Sequence, residues 1–310
     1  MNIFAHQFEE LSEKDIEILQ EYFHGADYDG AGYTFLANYI WRQSYCMCWE
    51  VIEGYLLLAG MDCMTGDPQA IVAMPLTKDG TYDPPRLRKA VLEAKRRFDE
   101  RKIPFSVCLI PESMVPVFQE ALPEMELVHC RDLDEYVYEK EKLITLSGRA
   151  LHKKKNHLNY FNRNNKYEVR PLTREMMPEI IQLTDLVREE RSYTEEEHES
   201  LNAELIAISE MVKFLDEPDV YGVAIYIADR LEAFAIGERL SANTAVEHFE
   251  KANDNFRGLY QAICSEFCRS LPEEIEFVNR EEDMGLENLR RAKEALKPHH
   301  MAKKYKAVTA

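Results

Sequence analysis

The chain has 310 residues, 45% of them hydrophobic and 30% charged, so it is long and apolar enough for two globular domains. Its net charge of −18 repels nucleic acid and anionic membranes as a whole, so contact with either requires a local basic patch. The sequence shows no signal peptide and no apolar run near the roughly 18 residues of a membrane helix, so we expect a cytoplasmic protein without an integral membrane segment.

The first half of the chain is predicted to alternate between strands and helices. Leu87, Val91, Ala94 and Phe98 recur on one helical face, and Gly54 supplies the positive φ of a hairpin turn. The predicted elements are a short strand near residue 8, a helix from about 13, hairpin strands at 49–52 and 55–58, a strand at 71–76, a helix at 86–100, a strand at 105–110 and a helix at 113–121.

The second half repeats this order. It is predicted to have a strand near residue 169, a helix after Thr173, hairpin strands at 223–228 and 231–236, a strand at 244–249, a helix at 258–268, a strand at 275–278 and a helix at 286–296. The repeated order indicates a duplicated α/β fold with mixed sheets. We expect an N-terminal domain at 1–140, a basic linker helix at 141–167 and a C-terminal, catalytic domain at 168–310.

Two charged turns follow strands of the second half. Glu250-Lys251-Ala252-Asn253 follows the strand at 244–249, and Asn279-Arg280-Glu281-Glu282-Asp283 follows the strand at 275–278. Ligand sites in α/β sheets lie at the carboxyl ends of strands, so these turns are predicted to meet at one polar pocket.

The segment between the halves is strongly basic. Residues 149–170 carry seven Lys or Arg against one acid, Glu168. This favours contact with phosphates of RNA, CoA or lipid, and the alternative is a solvated linker helix. The candidate phosphate- or RNA-binding residues are Lys153, Lys154, Lys155 and Arg163, with Arg257 and Gly258 at the start of the helix at 258–268.

Several runs resemble the C-terminal domain family of phosphatidylglycerol lysyltransferases. These runs are residues 146–161, 248–252, 278–286 and 289–293, with 33–38 and Trp41-Arg42 in the first half. The resemblance covers nearly the whole chain and is closest to stand-alone soluble members. It implies two tandem GNAT-like acyltransferase domains, related to Fem aminoacyltransferases that use aminoacyl-tRNA.

The donor predicted from this resemblance is aminoacyl-tRNA, with acyl-CoA as the other candidate. GNAT enzymes hold the CoA pyrophosphate with an R/Q-x-x-G-x-G/A loop before the central helix. Residues 255–260 keep one glycine of that loop, Gly258, and Tyr260 stands where a small residue is usual. No cofactor is predicted with certainty.

The candidate catalytic residues are His248, Glu250 and Lys251. Acyl transfer needs a base for the acceptor's proton and a donor for the oxyanion. Glu250 or His248 is a candidate base, and Lys251 or backbone N–H groups are candidates for holding the oxyanion or a phosphate. The alternatives are a hydrogen-bonded core histidine and an ion pair between Glu250 and Lys251.

The candidate substrate-binding residues are Asn253, Asn279, Arg280, Glu281 and Asp283. The alternative for the charged members is an internal network of salt bridges, which is weak evidence of function. The seven cysteines lack zinc-ligand spacing, so we predict no metal site and expect reduced thiols.

Three functions fit these residues. The leading one is aminoacyl transfer from aminoacyl-tRNA to a small-molecule, peptide or lipid head-group acceptor. The second is acetyl-CoA-dependent N-acetylation. The third is a non-catalytic phosphate- or RNA-binding protein that uses the basic linker.

Overall fold

The computed structural model describes residues 8–26, 28–61, 70–189 and 194–309. Contacts divide the chain into two compact units. The first is Met1–Asp134 with Ala302–Ala310, and the second is Glu135–Met301. The predicted linker helix is therefore part of the second unit, and the last residues of the predicted C-terminal domain belong to the first.

Each unit is built on a mixed sheet. The strands are β1 (Glu9–Glu10), β2 (Cys48–Ile52), β3 (Tyr55–Met61), β4 (Ala70–Ala73), β5 (Ser106–Pro111), β6 (Met125–His129), β7 (Glu135–Glu139), β8 (Glu168–Pro171), β9 (Val220–Ile227), β10 (Arg230–Arg239), β11 (Thr244–Ala252), β12 (Phe277–Asn279), β13 (His300–Ala302) and β14 (Lys304–Thr309). The sheet orders are β1-β2-β3-β4-β5-β14-β6 and β13-β7-β12-β11-β10-β9-β8.

Helices cover these sheets and connect their strands. They are α1 (Ile16–His24), α2 (Phe35–Ile40), α3 (Pro84–Glu100), α4 (Val115–Ala121), α5 (Lys140–Thr145), α6 (His152–Asn164), α7 (Met177–Glu189), α8 (Glu195–Val212), α9 (Leu259–Ser270) and α10 (Glu287–Glu294). Within the described part of the chain, each helix is too short or too polar to span a bilayer.

The two sheets share one plan. In each, an antiparallel hairpin (β2 with β3, β9 with β10) is followed by a parallel pair, β4 with β5 or β11 with β12. A helix, α3 or α9, connects the two parallel strands, as a parallel connection requires. The repeated order of elements predicted from the sequence is therefore present.

The last strand of each half of the sequence lies in the sheet formed by the other half. Strand β7, which ends the first half, pairs with β12 of the second sheet, and β14, which ends the chain, pairs with β5 and β6 of the first sheet. This exchange is the physical reason why the two units divide near residues 134 and 301 rather than at the predicted residues 140 and 168. Hydrophobic periodicity identifies a strand but not the sheet that it joins.

Local sequence accounts for the two crossover helices. Helix α3 begins after Asp83, whose carboxylate accepts the N–H of Arg86 at 2.8 Å, and prolines occupy its first turn. Helix α9 buries an apolar stripe and packs against β9, β10 and β11 on one side and against α5 and α6 on the other. The hydroxyl of Ser265 donates to the carbonyl of Ile144 at 2.9 Å and fixes α9 to α5.

Two details differ from the sequence analysis. Strand β11 continues to Ala252, so Glu250 and Lys251 lie within a strand rather than in a turn. Cys46 is disulfide-bonded, which corrects the expectation of reduced thiols at that position. The cysteines found free are Cys48, Cys108, Cys130, Cys264 and Cys268.

Gly258 permits the close approach of α6 to α9. Its φ is +92°, and a Cβ there would lie 2.2 Å from the carbonyl oxygen of His157. We expect Gly258→Ala to lower the free energy of unfolding through two effects. The left-handed backbone costs an alanine about 1–3 kcal/mol, and the overlap of its Cβ with the carbonyl oxygen of His157 costs a similar amount. Gly148→Ala is a control without the overlap, because no atom lies within 4 Å of the Cβ added there, although its φ of +99° and ψ of 157° lie in a region that essentially only glycine adopts. Urea denaturation measures both losses, and a Gly258→Ala protein as stable as the wild type would contradict the close approach of α6 to α9.

Candidate active site

The second unit contains a cavity of about 520 Å³ beside β11, α9 and the segment that follows β12. Its ionisable lining residues are Glu204, Glu247, Glu250, Glu281, Lys154, His248, Arg280 and Lys293. Its other lining residues include Tyr260, Gln261 and Cys264 of α9 and the apolar Leu146, Leu289 and Leu296. Of the predicted site residues, the cavity brings together His248, Glu250, Arg280, Glu281 and Lys154.

A β-bulge in β11 places the side chain of Glu247 in this cavity. On β10, the successive residues Ile236 and Gly237 pair with Phe249 and Glu247, so the pairing register passes over His248. A bulge interrupts the alternation of side chains between the two faces of a strand. Glu247, His248 and Glu250 therefore all line the cavity, whereas strict alternation would place Glu247 on the opposite face from the other two.

Arg280 bridges two carboxylates on the cavity wall. Its Nε lies 2.5 Å from Glu247 Oε2, and its Nη2 lies 2.9 Å from Glu250 Oε2. The side chain of Glu247 is 1% exposed, and this burial, with the charge of Glu250, raises its pKa well above the usual range despite Arg280. Arg280 was predicted to bind substrate, with an internal network of salt bridges as the alternative, and here it forms ion pairs with two glutamates of β11.

His248 is held between two carboxylates. Its Nδ1 lies 2.7 Å from Glu281 Oε1, and its Nε2 lies 3.0 Å from Glu238 Oε1. Burial by itself lowers the pKa of His248, but the hydrogen bonds and charges of Glu238 and Glu281 outweigh it and raise the pKa to about 10. At neutral pH the ring is therefore a cation that donates from both nitrogens, and it cannot act as the base that the sequence suggested.

This arrangement predicts a pH-dependent stability. Because the pKa of His248 rises from 6.5 to about 10 on folding, its contribution is complete below pH 6.5 and is lost as the pH rises toward 10. We expect the free energy of unfolding to fall by up to about 1.4 kcal/mol per pH unit in this range. His248→Gln should flatten the slope, whereas His152→Gln, at an exposed position on α6, should not. Denaturation curves at several pH values test this, and parallel slopes for all three proteins would contradict it.

The segment after β12 is fixed in a strained conformation at the cavity. Glu281 has φ +57°, which is uncommon for a residue other than glycine. Its N–H donates to Asn279 Oδ1 at 2.7 Å. The ammonium of Lys293 donates to the carbonyls of Glu281 at 3.1 Å, Glu282 at 2.6 Å and Arg280. Strain held by several contacts is typical of functional sites.

Four predicted residues are engaged elsewhere and do not line the cavity. Lys251 Nζ binds both oxygens of Glu204 at 2.8 and 2.7 Å. The side-chain amides of Asn253 and Asn279 donate hydrogen bonds to Glu232 and Glu135. The carboxylate of Asp283 accepts hydrogen bonds from Arg290, Tyr136 and the N–H of Gly285. These bonds hold strand ends and the segment after β12, so the geometry gives these four residues a positioning role.

The predicted phosphate-binding residues separate into two groups. Lys153, Lys155 and Arg163 are exposed on α6, whereas Lys154 is half-buried and lines the cavity. Arg257 lies over the ring of Tyr160, 5.0 Å from its centroid. Gly258 is explained by helix packing, so its presence does not require a phosphate.

The cavity also contains three potential metal ligands. One ligand atom from each of Glu247, Glu250 and Cys264 lies within 4.8 Å of the other two. The guanidinium of Arg280 already pairs with both carboxylates, so the chain supplies a cation at this position itself.

The cavity therefore combines acidic side chains with a bridging arginine. Acyl transfer can use both kinds of group.

Sequence comparison identifies the family. Residues 26–308 match the family model described as phosphatidylglycerol lysyltransferase, C-terminal. The chain belongs to this family. The resemblance predicted from the sequence is therefore confirmed.

Two relatives show the extent of similarity. An uncharacterized protein of Mycoplasmoides gallisepticum is 26% identical over 188 residues, which are 59% of this chain and 58% of that protein's length. A conserved protein of unknown function from Bacteroides thetaiotaomicron is 25% identical, with a TM-score of 0.82 over 98% of this chain and 99% of that one.

More distant structures define the fold class. L-PGS from Bacillus licheniformis has a TM-score of 0.65 at 12% identity, covering 98% of this chain and 93% of its own. A tandem GNAT protein from the clavulanic acid biosynthesis pathway has a TM-score of 0.54 at 10% identity, covering 98% of both chains. FemX has a TM-score of 0.60 at 6% identity, covering 96% of both chains. The fold is thus two tandem GNAT-like units with mixed α/β sheets, as predicted.

Proposed function

We propose that this protein transfers an aminoacyl group from aminoacyl-tRNA to an amine or hydroxyl of a small molecule, peptide or lipid head group. The reaction would take place in the cavity of the second unit. The observation that carries the proposal lies on the wall of this cavity. There the carboxyl groups of Glu247 and Glu250 are bridged by the guanidinium of Arg280. The family's description as a phosphatidylglycerol lysyltransferase domain supports the reaction class.

Glu250 is the group that we assign as base. The acceptor's nitrogen or oxygen attacks the ester carbonyl carbon of the donor, and its proton passes to Glu250. The tetrahedral intermediate then re-forms its C=O bond and expels the ribose oxygen of the tRNA, which takes the proton from Glu250 and leaves as a hydroxyl, so the carboxylate is regenerated. Apart from their ion pairs with Arg280, Glu250 Oε2 and both oxygens of Glu247 are buried without a hydrogen bond from a described residue. These oxygens can accept a hydrogen bond from an incoming amine or hydroxyl.

The geometry favours aminoacyl-tRNA over acetyl-CoA. Pyrophosphate binding at the start of α9 would need open backbone N–H groups, and the N–H of Leu259 already donates to the carbonyl of Phe256 at 3.0 Å. The exposed lysines of α6 provide a basic surface for an RNA backbone within a chain of charge −18.

A transfer assay with labelled donors tests this proposal. Total tRNA charged with labelled amino acids, or labelled acetyl-CoA, is incubated with the protein and pools of amines, peptides and lipids. We expect label to move from tRNA to one acceptor pool and none to move from acetyl-CoA. Acetyl transfer without aminoacyl transfer would overturn the proposal in favour of N-acetylation. Absence of both transfers would favour a binding protein.

A further inference from the structure

One cation of the cavity has no partner among the described residues. Arg280 pairs with two glutamates, the ring of His248 bonds to two glutamates, and Lys293 bonds to three carbonyl oxygens. Lys154, by contrast, makes no hydrogen bond or ion pair with any residue that the structure describes. The ammonium of Lys154 is therefore available to a ligand in the cavity.

Helix α6 fixes Lys154 at the cavity wall. Lys154, Leu158 and Phe161 occupy positions i, i+4 and i+7, so they share one helical face, and Leu158 and Phe161 are buried. The close approach of α6 to α9 at Gly258 anchors this face against α9. Lys153 and Lys155 are one residue, or about 100°, to either side and are exposed. The backbone therefore selects Lys154 from three consecutive lysines.

Acyl transfer requires a positive or hydrogen-bonding group at the carbonyl oxygen, where negative charge develops. Lys251, which the sequence suggested for this task, is bound by both oxygens of Glu204 and does not line the cavity. Lys154 lines the same cavity as the carboxylate of Glu250, and its charge contributes, after the hydrogen bond from Cys268 and the charge of Arg280, to lowering the pKa of Cys264. It is thus a cation available on the wall that also carries the assigned base.

We propose that Lys154 is a catalytic residue that binds the oxyanion formed on the donor's carbonyl oxygen. This rests on the proposed aminoacyl transfer and replaces Lys251 in the role that the sequence suggested. As the acceptor attacks, the carbonyl π electrons move to oxygen, where the ammonium of Lys154 stabilises them. They return to the C=O bond when the ribose oxygen leaves. Lys153 and Lys155, on the exposed faces, take no part in this step.

Two donor analogues separate this role from simple donor binding. The first is a 3′-aminoacylamino-3′-deoxyadenosine, whose amide carbonyl is neutral, and the second is its phosphonate counterpart, with a tetrahedral anion in place of the carbonyl. Both carry the amino acid that the transfer assay identifies. Calorimetry measures their affinities for the wild type and for Lys154→Met, Lys153→Met and Lys155→Met. Methionine preserves most of the aliphatic packing, and retained binding of the amide shows that the cavity is folded.

We expect Lys154→Met to lose at least about tenfold in phosphonate affinity, or ~1.4 kcal/mol, while its amide affinity is unchanged. Its kcat should fall about 10²–10³-fold with little change in KM, as for the loss of other oxyanion donors. Lys154→Arg should recover part of the phosphonate affinity, and Lys153→Met and Lys155→Met should match the wild type in their affinities for both analogues, which lack an RNA backbone. An unchanged ratio of the two affinities in Lys154→Met would overturn the oxyanion role alone. If the wild type uses no aminoacyl-tRNA and binds neither analogue, the proposed function fails, and this role fails with it.

Discussion

Glu250→Gln is expected to abolish aminoacyl transfer while leaving the fold intact. Glutamine keeps the size of the side chain but cannot accept the acceptor's proton, and the loss of a positioned base lowers kcat about 10²–10⁴-fold. Stability should change little, because Arg280 still pairs with Glu247 at 2.5 Å. Turnover and melting temperature measured on the same preparation test both parts.

The control for this substitution is Glu282→Gln on the segment after β12. Glu282 does not line the cavity, although its carbonyl is bound by Lys293, so this variant should retain full activity. A Glu250→Gln protein with wild-type turnover would contradict the assignment of the base. A variant that loses activity and melts far below the wild type would show that Glu250 is a structural partner of Arg280.

Arg280→Ala is expected to destabilise the second unit strongly. The Arg280 side chain is mostly buried and pairs with Glu247 and Glu250, so its removal leaves two acids without their cation. Breaking a buried pair in this way costs about 3–5 kcal/mol. Arg291→Ala is the matched control, because Arg291 is exposed and pairs with Glu287 on the surface of α10. That pair should contribute at most about 1 kcal/mol.

A second substitution distinguishes an uncompensated charge from lost packing. Glu247→Gln added to Arg280→Ala should recover part of the lost stability, because it removes the more deeply buried of the two acids. Urea denaturation of the single and double variants measures the coupling. An Arg280→Ala protein as stable as Arg291→Ala, or a double variant that is less stable than the single one, would contradict the buried bridge.

Periodic elements could be predicted from the sequence, and they include those that carry the cavity. The apolar stripe of residues 258–268 corresponds to α9, and the runs at 244–249 and 275–278 correspond to the parallel strands β11 and β12. The carboxyl ends of neighbouring parallel strands lie at the same edge of a sheet. The sequence therefore predicted that Glu250, Arg280 and Glu281 lie close together. Lys154 was identified only as one of three lysines, although its spacing from Leu158 and Phe161 indicates the inward face.

The remaining features depend on tertiary structure. The bulge at His248 places the side chain of Glu247 in the cavity. The pattern of polar and apolar residues along this strand does not predict the bulge. The left-handed backbone of Glu281 is held by Lys293, twelve residues later, and local sequence gives no sign of this contact. The protonated state of His248 depends on Glu238, which comes from the neighbouring strand β10. The sequence therefore located the edge of the site but could not assign the base, the cation or their partners.

A crystal structure with a bound 3′-aminoacylamino-3′-deoxyadenosine tests the central claim most directly. The proposed function predicts that the aminoacyl group occupies the cavity of the second unit, with its carbonyl oxygen within hydrogen-bond distance of Lys154 and its carbonyl carbon facing Glu250. Binding of the analogue outside this cavity would contradict the claim. So would a cavity that stays empty at saturating analogue while acetyl-CoA occupies the start of α9.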